Sequence, residues 1–309
     1  MEEVWKLLQA DVNVNATDTT GATPIYFAAS NGHLQVVKCL IDYGSKFSTA
    51  IDESGATALH AASKNGFLDI VKHVLIKGCS INAVDNDKRS PLYFACEFGH
   101  LSVVEFLLKK RANGNAANNT GRTPLMQSAQ GGFLDIMKCL VTHGCDVYKA
   151  TTDCRIPLHV GADYGHLNIV QFLLDIGCDI DSPHATGWTP FHYACQGGHL
   201  EVVKYLVEQG CDKEAQDDVG VNGFAVATEF EYLEVLKYLV EQGCDIRTRD
   251  EEGVLPIHLA CASGNVDIVK YFLELGMTGN EVNIVSYALA SRISLYHFII
   301  RVLYYFRSQ

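Results

Sequence analysis

Residues 187–215 read GWTPFHYACQGGHLEVVKYLVEQGCDKEA, and variations on this stretch recur along most of the 309-residue chain. With Gly187 as origin, the counterparts are Gly21, Gly55, Lys88, Gly121, Cys154, Gly220 and Gly253; the first step is 34 residues and each later one 33. Two positions on stands Thr23, Thr57, Thr123 or Thr189, with Ser90 in a fifth copy, and Pro usually follows. A hydroxyl residue before Pro starts a helix, because the oxygen caps an orphan N–H and Pro lacks that donor. Eleven positions after the origin a glycine ends this helix (Gly32, Gly66, Gly99, Gly132, Gly165, Gly198, Gly264), as a left-handed cap favours. A second helix follows at once, as in LEVVKYLVEQG (Leu200 to Gly210), with apolar residues three and four apart along one buried face. The polar residues before the next origin read as a connecting hairpin.

Composition narrows the class. Apolar residues make up 48% of the chain and charged ones 19%, which is globular rather than disordered. A net charge of −12 argues against a general nucleic-acid binder, which needs a basic face for phosphates. Eleven cysteines, an odd number, fall at repeat-related positions and read as reduced thiols of an intracellular, cytoplasmic protein. The start, MEEVWKLLQADVN, is acidic and lacks the basic and apolar regions of a secretory signal. The Asn-x-Thr sites at Asn15 and Asn118 are then chance matches.

The frame resembles the ankyrin repeat family, whose 33-residue unit carries a TPLH-x-A signature between a β-turn and two antiparallel helices. Here the signature stands as TPIYFA, TALHAA, SPLYFA, TPLMQS, IPLHVG, TPFHYA and LPIHLA. The resemblance implies an all-α solenoid of helix-turn-helix units joined by β-hairpin-like loops. Residues 1–18 read as a partial N-terminal repeat or cap, 19–280 as eight repeats in one solenoid domain, and 281–309 as a tail outside the pattern. A helix spacing of about 8–10 Å predicts a rod roughly 65–80 Å long.

Two departures stand out. The seventh copy has Gly223 in place of Pro and Glu231 in place of the closing glycine. A non-glycine residue held left-handed costs about 1–2 kcal/mol, so this unit is expected to be distorted or locally softer. Arg111 replaces the second closing glycine in the third copy. The tail contains ISLYHFIIRVLYYF (Ile293 to Phe306), fourteen residues, against the about 20 needed to span a membrane. It reads as a helical cap on the last repeat, with an interfacial lipid anchor or a docking helix as alternatives.

No constellation calls for catalysis or a cofactor. His192, Cys195 and His199 have the appearance of zinc ligands, but each recurs with the repeat and reads as a capping or packing group. Cys79, Cys145, Cys178, Cys211 and Cys244 occupy a small apolar position where the family usually has Ala. No phosphate loop, zincin motif or nucleophile elbow is visible, so a non-enzyme without metal is expected.

What remains is recognition. The resemblance implies that partner contacts concentrate at the hairpin tips and the ends of the first helices, on a concave surface. One residue past the origin stand Arg89, Arg122, Arg155 and Trp188; ten residues past it stand Phe98, Tyr164 and Phe230. Arg, Trp and Tyr dominate binding hot spots, and guanidinium forks match carboxylates. These seven residues are the candidate site, and a protein partner with an acidic segment is the expected ligand, as for a scaffold, adaptor or inhibitor. Against this, Asp87, Glu97, Asp153 and Asp163 are placed to neutralise the arginines, and the Trp ring can lie flat on its own hairpin. A membrane-associated adaptor held by the tail and a substrate-recognition subunit of a larger enzyme complex are the alternative functions.

Overall fold

The computed structural model describes residues 13–49 and 52–277. Most of the N-terminal partial repeat and the whole tail 281–309, with its proposed cap, anchor or docking helix, lie outside the described residues. Among the described residues there are sixteen helices in eight pairs and no named strand; one isolated antiparallel bridge joins Gln216 and Asn222. The pairs are α1 (Pro24–Ser30) with α2 (Leu34–Asp42), α3 (Ala58–Lys64) with α4 (Leu68–Ile76), α5 (Pro91–Glu97) with α6 (Leu101–Lys109), and α7 (Pro124–Gln130) with α8 (Leu134–Thr142). There follow α9 (Pro157–Asp163) with α10 (Leu167–Asp175), α11 (Pro190–Gln196) with α12 (Leu200–Glu208), α13 (Gly223–Glu229) with α14 (Leu233–Glu241), and α15 (Pro256–Ser263) with α16 (Val266–Glu274).

The chain divides within the fifth pair into two compact units: Met1–Gly161 with Asn168–Cys178, and Ala162–Leu167 with Asp179–Gln309. In the first, α1, α3, α5 and α7 stand side by side, each against its own second helix. In the second, α11, α13 and α15 do the same. A seven-residue helix is far too short to hold alone in water, so packing must supply its stability. All seven residues of α11 are buried, Phe191 completely. The second helices bury one face only, as Val202, Val203 and Leu206 do on α12. Each such side chain contributes about 1.5–3 kcal/mol when fully removed from water.

The expected caps are present. Ser90 Oγ accepts from the Tyr93 N–H at 3.1 Å, and Thr123 Oγ1 from that of Met126 at 3.3 Å. At Thr57 the recurring histidine joins in: the Thr57 N–H donates to His60 Nδ1 at 3.0 Å. That nitrogen is therefore unprotonated and the proton lies on Nε2, which donates to the Arg89 carbonyl of the next repeat at 3.1 Å. His192 repeats the arrangement from Thr189 to the Val221 carbonyl. Burial pushes both imidazoles below their ordinary value, which keeps them neutral and their acceptor nitrogens available.

The seventh copy is not distorted. Its helices α13 and α14 have the seven and nine residues of α11 and α12, and Asn222 Oδ1 caps the first by accepting from the Ala225 N–H at 3.0 Å. Glu231 simply adopts the left-handed conformation, φ +68°. The strain expected there is local to one residue. Arg111 does likewise at φ +65°, at a position whose glycine counterparts, such as Gly78 and Gly144, have nothing within 4 Å of an added Cβ. Only backbone strain distinguishes Arg111 from glycine. Arg111→Gly should therefore raise the unfolding free energy in urea melts by about 1 kcal/mol, while Arg111→Ala should leave it unchanged within a few tenths.

Candidate protein-binding surface

Each hairpin tip is closed by a polar side chain three residues before the origin. Asp18, Asp52, Asp85, Asn118, Thr151, His184, Asp217 and Asp250 hold this place. Each accepts the backbone N–H four residues on, at 2.8–3.1 Å: those of Ala22, Ala56, Arg89, Arg122, Arg155, Trp188, Val221 and Val254 in turn. The acceptor thus fixes the backbone of the residue that carries the candidate arginines and Trp188. Neighbouring tips are tied by backbone bonds, Asn86 N–H to Ser54 O and Asn119 N–H to Asp87 O, both 2.9 Å, in the first unit. In the second, Asp218 N–H donates to Thr186 O at 3.1 Å.

Arg89, Phe98, Arg122 and Arg155 belong to the first unit. The arginines differ in how fully their charge is used. Arg89 Nε donates to Asp85 Oδ2 at 2.8 Å, a second nitrogen lies 3.3 Å from Asp87, and the guanidinium rests 4.8 Å over the Phe94 ring. Its side chain is 28% exposed and that of Asp85 0%. Burial opposes its charge, yet the carboxylates of Asp85, Asp87 and Glu97 hold the guanidinium above its ordinary value. Arg155 is more enclosed, 12% exposed, with Nε 3.0 Å from Asp153 Oδ2. Arg122 has Asn118 where Arg89 has Asp85, and it donates to the neutral Gln130 Oε1 at 2.6 Å. It makes no ion pair among the described residues. Glu97 is half-buried nearby; burial pushes its carboxyl up, while Arg89, Lys64 and Arg122 pull it down. Phe98, next to Glu97, is 45% exposed, with the Lys64 ammonium 5.2 Å from its ring centre.

Tyr164, Trp188 and Phe230 belong to the second unit, and all three are half-buried. The indole of Trp188 lies against its own repeat: stacked on His192 at 5.8 Å, edge-on to Tyr193 at 5.3 Å, and 6.4 Å from His184. Its Nε1–H donates to Asp217 Oδ2 in the next tip at 2.8 Å. Sequence reading named Asp87 and Asp153 as partners for the arginines but passed over Asp85, Asp217 and Gln130. The signal was there, a short polar acceptor three places before every origin.

His192, Cys195 and His199 keep to packing roles: Cys195 is fully buried, and His199 Nε2 lies 2.8 Å from the Asp163 carbonyl. Among the described residues no group of three or more His, Cys, Asp or Glu could hold a metal, and no helix is long and apolar enough to cross a membrane. All eleven cysteines are free thiols. Burial pushes Cys145 up to about 11 and Cys211 and Cys244 up to about 12, so they pack as uncharged groups.

Comparison with known proteins agrees with this geometry. The family model for ankyrin repeats (three copies) matches residues 1–85, 62–151, 148–217 and 220–304. The crystal structure of the ankyrin repeat domain of human ASB11 is similar in fold, with TM-score 0.65 and 24% identity, covering 72% of this chain and 99% of that one. No curated protein matches the sequence.

Proposed function

This chain belongs to the ankyrin-repeat family, and from that premise we propose that it is a non-catalytic scaffold, adaptor or inhibitor that grips a partner protein through its hairpin tips and first-helix ends. Ankyrin repeats are generally protein–protein interaction modules and typically non-catalytic. The partner presents an acidic segment, and Arg122 is the residue that reads it, with Phe98 as an apolar anchor in the same unit; Trp188 is a separate contact point on the second unit. The observation behind this choice is the Asn118 substitution. Arg89 and Arg155 spend their forks on carboxylates of their own hairpins, whereas Arg122 donates to the neutral Gln130 and makes no ion pair among the described residues, which leaves it the most available to a partner's carboxylate. Free thiols throughout fit a reducing, intracellular setting.

The test is a pull-down from native cells with wild type, Arg122→Glu, and Arg122→Glu combined with Trp188→Ala. A partner that reads this surface loses about tenfold or more in recovery with the single variant, as for a hot-spot residue, and more with the double. Lys138→Glu, an exposed charge on α8, should leave recovery unchanged. Equal recovery of every partner by all four proteins would remove the proposed surface.

A further inference from the structure

The tip ahead of α11 differs from the others in one chemical respect. Its closing acceptor is an imidazole, His184 Nδ1, 3.1 Å from the Trp188 N–H. The other seven copies use Asp, Asn or Thr oxygens. The backbone frame is otherwise that of the neighbouring tip: His184 N–H donates to Trp188 O at 2.8 Å and Gly187 N–H to His184 O at 3.0 Å, against 2.9 and 3.0 Å for the equivalent bonds of Asp217. An amide or hydroxyl oxygen accepts at any pH, and a carboxylate accepts throughout the neutral range. Imidazole Nδ1 accepts only while it carries no proton.

From this geometry we infer that His184 is a pH-sensitive pin on the tip that carries Trp188, closed when the ring is neutral and opened by its protonation. A proton on Nδ1 sets two N–H donors against each other and removes the bond that fixes the Trp188 backbone. The groups around the ring shape the response. Thr186 Oγ1 lies 3.4 Å from His184 Nε2 in the same tip. From α11 come Tyr193, 5.7 Å away between ring centres, and His192. His192 is held below the ordinary imidazole value by burial, so it charges later than a free imidazole as pH falls. From the next tip come Asp217, bonded to the indole, and Asp218, whose Oδ1 lies against Gly187. Acid therefore loosens the tip while the helices behind it stay packed.

The chain has two tryptophans, so a Trp5→Phe background leaves Trp188 as the sole reporter. Acrylamide quenching of Trp188 is followed from pH 8 to 5, with circular dichroism recorded at each point. The expected result is a rise in the quenching constant of about twofold across the imidazole range, with helix content unchanged. His184→Asn, copying the acceptor that Asn118 provides in the fourth repeat, should abolish the rise. The same rise in His184→Asn, or a flat wild-type profile, would overturn the inference. Because the readout needs no partner, failure here leaves the proposed binding surface untouched, and the reverse also holds.

Discussion

Gly198→Ala is expected to lower the unfolding free energy by about 2–5 kcal/mol, although it adds one methyl group. Two costs combine. Gly198 closes α11 at φ +66°, where a Cβ meets the following carbonyl. That Cβ would also overlap the Tyr232 ring of the next repeat, with Cγ 2.7 Å away. The same close approach links Gly66 to His100 and Gly99 to Phe133. Urea denaturation followed by circular dichroism measures the loss. Tyr232→Asn in the same chain should recover the steric part and leave about 1–2 kcal/mol of backbone strain.

The protein already contains the natural version of that double variant. Glu231 occupies the closing position in the seventh copy, and the residue facing it is Asn265, not an aromatic ring. Asn265 Nδ2 donates to Glu231 Oε2 at 3.3 Å. Asn265→Tyr should accordingly be destabilising beside Glu231 and well tolerated in a Glu231→Gly background. A double-mutant cycle with no coupling between these sites would refute the explanation.

The second large effect lies one layer deeper. Phe191→Ala should cost about 3–5 kcal/mol, the range for a fully buried ring. The void has no ready filler, because Gly223 is the residue beneath the ring. A Cβ there would stand 2.7 Å from Phe191 Cδ1 and 3.1 Å from Cys195 Sγ. This accounts for the missing Pro of the seventh copy, since in the earlier copies Leu59, Leu92 and Leu125 are followed by Pro91, Pro124 and Pro157. Phe224 is also followed by Pro, at 256; its ring packs edge-on against Phe272 at 5.9 Å. Gly223→Pro should be damaging alone and far less so with Phe191→Leu. Chemical denaturation of the four proteins decides it.

The repeat frame, the helix limits and the caps were legible because they are local: a hydroxyl, a Pro and two glycines at fixed intervals dictate each turn. What periodicity concealed was the coupling between adjacent copies. Gly223 and Glu231 read as distortion or softness, yet each is matched to a residue about 33 positions away, Phe191 before it or Asn265 after it. The candidate surface was legible in its residue types and not in their state. Nothing in a row of three arginines distinguishes Arg122 from Arg89 until Asn118 and Asp85 are seen accepting from the two backbones. Trp188, bonded through its indole to Asp217 and stacked on His192, lies against its own repeat, one of the two placements the sequence left open.

The ring laid over a closing glycine also bears on how such an array can be inherited. Copies added by unequal recombination must follow themselves as well as their old neighbours. A tandem duplicate of the seventh copy would bring Tyr232 onto Glu231, where only a glycine or a small facing residue leaves room. The sixth copy has no such conflict at this position, since it would set His199 over Gly198, the pairing that Gly165 already makes with His199. Arrays of this kind should lengthen from some of their members and not from others, and the forbidden junctions can be read from one pair of residues.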